Sequence, residues 1–132
     1  MIGLDTNLLV RFYASDDAAQ TLVAARTLQG ADTFFVPKSV VLELYWVLAS
    51  VHATPRQRIL EVLRHLLGLE HVQIEDEDSV RAAVDHFESG LEFEDAMHLA
   101  ACRDCDRMLT FDRKLAQRAG RLALAPRCEV PK

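Results

Sequence analysis

Short apolar runs, set apart by long helical stretches, constrain this chain more than any other feature. Ile2-Gly3-Leu4, Thr33-Phe34-Phe35-Val36, Val72-Gln73-Ile74 and Met108-Leu109-Thr110-Phe111 are brief, mostly apolar segments of the kind that fills buried strands. Thr6 or Asn7 is placed to cap the helix LLVRFYA, which runs to a second cap signal at Ser15-Asp16-Asp17, and AAQTLVAARTLQ continues helically to Gly30. Ser39 is placed to cap VVLELYWVLASV, whose apolarity nearly all round predicts a buried helix. Thr54-Pro55 opens RQRILEVLRHLLG with proline at its first position, and EDEDSVRAAVDHFESG begins with carboxylates where the helix dipole favours them. Helices are also predicted from Phe93 to Asp104 and from Arg113 to Ala119, the latter stopped by Gly120, with the tail LALAPRCEV adding an edge strand. Strands alternating with such helices predict an α/β fold. The expectation is a single domain over residues 1–132, with a central, mostly parallel sheet of four to five strands flanked by helices on both faces.

A length of 132 residues with 50% hydrophobic content is enough to bury a core without help from a metal or disulfide. No apolar stretch approaches the ~18 residues needed to span a membrane, and MIGLDTN carries no basic segment before an apolar run. Three cysteines without framework spacing suit a reducing compartment, so a cytoplasmic location with no membrane association is expected. The net charge of −5 argues against an indiscriminate polyanion binder. That total hides an asymmetry. Residues 1–100 hold sixteen acids against seven bases, whereas residues 101–132 hold four acids against eight bases, a plausible polyanion-facing edge.

Isolated acids stand where apolar segments end. Asp5 follows the first strand, Asp112 follows MLTF, Asp95 lies in the first turn of EDAMHLAAC, and Glu43 sits inside SVVLELYWVL without a neighbouring cation. In a parallel α/β sheet the carboxyl ends of the strands border the crevice where ligands bind. Capping accounts equally well for Asp5 and Asp112, and dipole complementation for Asp95. If the four converge, each pair at ~4 Å repels by about 4 kcal/mol at an effective dielectric near 20. A proton or a cation must relieve that, and an oxygen-only cluster suits a hard ion, Mg²⁺ or Mn²⁺.

These segments resemble the PIN-domain pattern, specifically the VapC-type toxin ribonucleases of bacterial toxin–antitoxin pairs. IGLDTNLLVRF resembles the first motif, with Asp5 followed by Thr6 and Asn7; VPKSVVLELYWVL resembles the second, with Glu43; FEDAMHLAAC the third, with Asp95; and LTFDRKLA the fourth, with Asp112. The third motif departs from the pattern in carrying Glu92 where an Asp is usual and Glu94 where a small residue is usual. The resemblance implies an Mg²⁺- or Mn²⁺-dependent endoribonuclease that cuts RNA, forms a homodimer and is inhibited by a small cognate antitoxin. It implies Asp5 and Asp95 as direct metal ligands, with Glu43 and Asp112 completing the acidic set and Glu92 as an outer acid. Thr6, Asn7 and Thr110 would orient carboxylates or water, and Arg11, Arg113 and Lys114 would hold flanking phosphates. The alternative is a catalytically inactive PIN-like module that binds RNA or a protein.

Other signals read more simply as structure. Cys102 and Cys105 fit two core cysteines on an apolar helix, His98 a partly buried histidine, and Trp46, Phe34 and Phe35 core packing. Glu75-Asp76-Glu77-Asp78 reads as a solvated helix start. A phospho-acceptor receiver domain would want an acidic pair after the first strand, and a haloacid-dehalogenase-type phosphatase a second Asp at the position of Asn7; neither is present.

Overall fold

Every strand pairing in the computed structural model, which describes residues 1–132, is parallel. β1 (Ile2–Gly3), β2 (Phe34–Val36) and β3 (Val72–Ile74) form one sheet in that order, and β4 (Arg107–Leu109) pairs with β5 (Arg127–Glu129) in a second. The expected α/β architecture is therefore present, its five strands hydrogen-bonded as three plus two. The chain divides into two compact units, Met1–Glu77 and Asp78–Lys132.

In the first unit α1 (Thr6–Ala14) and α2 (Ala18–Leu28) connect β1 to β2, and α3 (Lys38–Ser50) and α4 (Arg56–Leu67) connect β2 to β3. Both crossovers step the same way across the sheet, so right-handed connections bring their helices to one face. α1 accordingly packs against both α2 and α3, and α3 against α4. The register sets Phe34 beside Ile2 and Val72, and Phe34, Val36, Val72 and Ile74 are all buried, while the alternate positions Phe35 and Gln73 are more open. α4 buries Ile59, Val62, Leu63, Leu66 and Leu67, a stripe at helical spacing.

Four local expectations for this unit need correction. Ser39 does not cap α3; Pro37 is the boundary residue, and the Lys38 N–H donates instead to Glu75 Oε1 at 2.9 Å while Lys38 Nζ pairs with Asp76 at 3.0 Å. Glu75 and Asp76 thus precede α5 and anchor α3 rather than starting a helix. Asp5, not Thr6 or Asn7, caps α1. And α3 is not buried all round: Val40, Val41, Leu44 and Leu48 face the core, whereas Glu43 and Trp46 are exposed.

The second unit is built on α5 (Glu77–Ser89) and α6 (Phe93–Ala101). α5 ends where Gly90 takes φ +124°, with the Gly90 N–H bonded to Phe87 O (3.1 Å) and the Leu91 N–H to His86 O (3.1 Å). Those two bonds are a Schellman closure, and a side chain would strain that φ. The turn delivers the chain directly into α6, where Phe93 meets Phe87 edge-to-face at 5.6 Å, both rings fully buried. Ser79 on α5 donates to Ala100 O near the far end of α6 (3.4 Å) and accepts from the Arg103 guanidinium. α6 stops at Ala101, short of the predicted Asp104, so Cys102 is its cap residue and Cys105 lies exposed in the turn that follows. α7 (Arg113–Arg121) runs through Gly120 and packs on β5. No helix is long and apolar enough to cross a membrane.

Candidate active site

Asp5 and Glu43 belong to the first unit, Asp95 and Asp112 to the second. Asp5 leaves β1 in extended conformation, and its Oδ1 accepts the Thr6 N–H at 2.8 Å, closing the start of α1. Thr6 is buried, and its Oγ1 is the one buried side-chain polar atom in the chain without a hydrogen-bond partner. A hydroxyl in that state is a donor awaiting an acceptor. Glu43 projects into solvent from α3, so the unpaired burial expected for it is not present. Asn7 is exposed in the first turn of α1. Arg11 serves a different purpose from the expected phosphate contact: its guanidinium is bound to Asp16 (2.9 Å) and to Gln20 Oε1 (2.6 Å), tying α1 to α2.

In the second unit Asp95 and Asp112 lie close enough to repel. Burial, then the Asp112 carboxylate, push the Asp95 carboxyl above its ordinary range; His98 opposes the shift, and Glu92 and Glu94 add to it. His98, expected to be partly buried, is instead exposed one turn after Asp95. Asp112 is fixed at the start of α7, its Oδ1 accepting from the Lys114 N–H (3.0 Å) and the Leu115 N–H (3.1 Å). Thr110 positions it from behind: Thr110 Oγ1 accepts the Asp112 N–H at 3.0 Å, and the Thr110 N–H donates to Glu129 O at 3.1 Å. Glu92 precedes α6 without capping it through its side chain. Arg113 and Lys114 are exposed on the first turn of α7. Sequence reasoning missed Cys128, which β5 brings beside both acids; burial, then Asp95 and Asp112, push its thiol up. Its pairing with Met108 in the strand register was the only signal, and it becomes visible only once β4 and β5 are aligned.

The acids named from the sequence are hard oxygen donors, a kind that suits a divalent cation such as Mg²⁺, and Cys128 adds a thiol beside two of them. Each unit carries its own feature that fits a cation: in the second a half-buried carboxyl crowded by other anions, in the first a buried hydroxyl without a partner next to Asp5 in the chain. No three His, Cys, Asp or Glu side chains are gathered as a ready-made metal site. A cavity of about 570 Å³ along β4 and β5 offers Arg107 and Arg127, but both guanidinium groups are already paired with Glu129.

The profile of the PIN domain family matches residues 2–121. The chain belongs to the PIN domain family. The match runs through both units and spans all four acids. PIN domains are generally nucleases and generally depend on divalent metal, so this PIN domain has a nuclease-type fold that implies nucleic-acid binding. No curated protein gives a significant match to the sequence.

Proposed function

We propose that this PIN domain is an Mg²⁺- or Mn²⁺-dependent endoribonuclease, the toxin of a toxin–antitoxin pair, acting on RNA in the cytoplasm as one domain over residues 1–132. Asp5, Glu43, Asp95 and Asp112 form its acidic set, with Asp5 and Asp95 as the direct ligands and Glu92 as an outer acid. When bound, the divalent ion supplies an activated water and neutralises charge on the phosphoryl group.

The chain's own residues do the rest. Thr6 Oγ1, which has no partner in the structure, would turn its proton toward the Asp5 carboxylate once an ion is held there, and Asn7 can add a second hydrogen bond. Thr110 holds the backbone of Asp112, so its carboxylate meets the substrate in one orientation. Arg113 and Lys114 take the flanking phosphates as positioning contacts. The partners in this reading are a cognate antitoxin, whose terminal segment fills the acidic groove, and a second copy of the chain.

The observation that carries the reading is Asp95: a half-buried carboxyl beside Asp112, Glu92 and Glu94, with His98 alone opposing them. A fold keeps such an arrangement at a cost to itself unless a cation or a proton relieves it. The test is cleavage of a labelled single-stranded RNA by the purified chain with Mg²⁺, with Mn²⁺ and with EDTA, beside the Asp95→Asn variant. Cleavage that requires the metal and vanishes in the variant supports the enzyme. RNA binding without metal-dependent cleavage would instead mark an inactive PIN-like binding module.

A further inference from the structure

Cys102 and Cys105 are not the core pair that an apolar helix would make of them. Cys102 is the half-buried cap residue of α6, and Cys105 is exposed in the turn beyond it. The Cys105 N–H donates to Cys102 O at 2.8 Å, the bond that closes a tight turn. Such a turn holds its first and last Cα atoms within about 7 Å, and a disulfide spans about 4.4–6.8 Å. The side chains meet as well: burial, then the nearness of Cys105 and a hydrogen bond to it, push the Cys102 thiol above its ordinary value. The turn is anchored from both ends. The Cys102 N–H bonds to His98 O (3.2 Å) and Leu99 O (3.1 Å), and the Arg103 guanidinium donates to buried Ser79 on α5. All three cysteines are free, and Cys128 stands apart from this pair on β5.

We propose that Cys102 and Cys105 are a redox-sensitive modification site, joined by a reversible disulfide across the turn between α6 and β4 when the chain meets a small-molecule disulfide. Exposed Cys105 reacts first. Its thiolate attacks one sulfur of the oxidant, whose S–S bond breaks, and the departing thiolate takes up a proton. Cys102 then gives up its proton and attacks Cys105 Sγ, expelling the second small thiol. Two protein thiols lose two electrons between them, and one disulfide is reduced to two thiols. A bond that closes only four residues gains little from loop closure, and an exposed one stays open to attack by a reductant, which keeps the step reversible. In a reducing compartment such bonds are usually transient and sensing rather than structural. This one would fix the turn through which α6, carrying Asp95, passes to β4 and on to Asp112.

The test reads thiols and needs no RNA. The reduced, folded chain is equilibrated with mixtures of reduced glutathione and glutathione disulfide, quenched with acid, alkylated and weighed by mass spectrometry. Oxidation should remove two hydrogens from the intact mass and leave one thiol, Cys128, to be alkylated, and reduced glutathione should reverse it. Trypsin cuts between the pair at Arg103, so the bond should hold Ala82–Arg103 to Asp104–Arg107 until dithiothreitol parts them. Cys102→Ser should stop at the mixed disulfide, with one glutathione on Cys105, whereas Cys128→Ser should oxidise as the original chain does. Circular dichroism checks that each chain stays folded. Three free thiols at every ratio, a bond that takes in Cys128, or glutathione retained on Cys105 while Cys102 is present would each overturn the assignment and leave the nuclease reading untouched.

Discussion

Asp112 is asked to do two things with one carboxylate, and substitution separates them. Its Oδ1 accepts the N–H groups of Lys114 and Leu115, which no helical carbonyl can reach. Asp112→Ala removes that acceptor and should cost about 1 kcal/mol, the usual worth of an N-cap. Unfolding entropy of about 2.1 cal/mol/K per residue over 132 residues converts this into a fall in Tm of about 4 °C. Asp112→Asn keeps a neutral acceptor that caps equally well. It gives up at most about 1 kcal/mol of charge–dipole attraction and recovers part of that by ending the repulsion with Asp95. Its Tm should therefore stay within a degree or two of the original. Metal-dependent RNA cleavage should nonetheless fall about a hundred-fold or more in both variants, since the lost charge serves the reacting phosphate and not the helix. Thermal unfolding by circular dichroism and cleavage of a labelled oligonucleotide measure the two effects on one preparation. An Asn variant as unstable as the Ala variant would refute the capping argument, and one with full activity would remove Asp112 from the site.

Mn²⁺ should raise Tm in a concentration-dependent way, by the equivalent of about 2.7 kcal/mol at a hundred times its dissociation constant, and an equal rise in Asp95→Asn would dissociate the metal from that carboxyl. Phe87→Ala opens a cavity under α6 and should cost about 3–5 kcal/mol, read as a lower urea midpoint. Gly90→Ala forces a side chain onto φ +124° and should lower stability by about 1–2 kcal/mol, a loss that equal thermal melts would disprove. Burial, opposed by Asp85, holds the His86 imidazole below its ordinary value of 6.5, so the unfolded chain takes up the proton first. Stability contributed by the neutral ring is present above that value and is lost as pH falls through the folded one. His86→Gln should flatten this part of the stability–pH curve.

The strand positions and their parallel pairing were legible because each short apolar run is punctuated by proline, glycine or an acid, and helices of nine or more residues separate them. The caps were less so. Lys38 at the start of α3 is served by Glu75, thirty-seven positions away, and no local pattern encodes such a partner. α3 misled for a related reason. Apolar residues all round a helix signal burial only if the sheet and neighbouring helices enclose it, and here Trp46 and Glu43 fall on the side left open. The same misjudgement placed Cys105 in the core: α6 ends one turn earlier than its composition suggests, with Cys102 as its cap. Of the candidate site, the residue types and their order were readable, while the state of each was not. That Arg11 is consumed by Asp16 and Gln20, or that Thr6 is buried without a partner, depends on how α1 meets its neighbours.

Capping and metal binding look like rival explanations for an acid that follows a strand, yet the geometry makes them one. A parallel strand hands its chain to a helix at the sheet edge where ligands collect, so the residue at that junction faces both the helix N–H groups and the crevice. Asp5 and Asp112 each commit Oδ1 to the helix, and in neither does the second oxygen take part in those bonds. The hydrogen bonds lock the carboxylate's orientation before any ligand arrives, and the positive end of the helix stabilises its charge. An acid so held gives up little conformational entropy when it meets a cation. Asp95 lacks that support. It sits inside α6 with no capping bond of its own, half-buried beside Asp112, and its carboxyl is the one whose protonation the surroundings favour. The site's dependence on a cation should accordingly concentrate at Asp95, so that neutralising Asp95 weakens metal binding more than neutralising either of the acids already steadied by a helix.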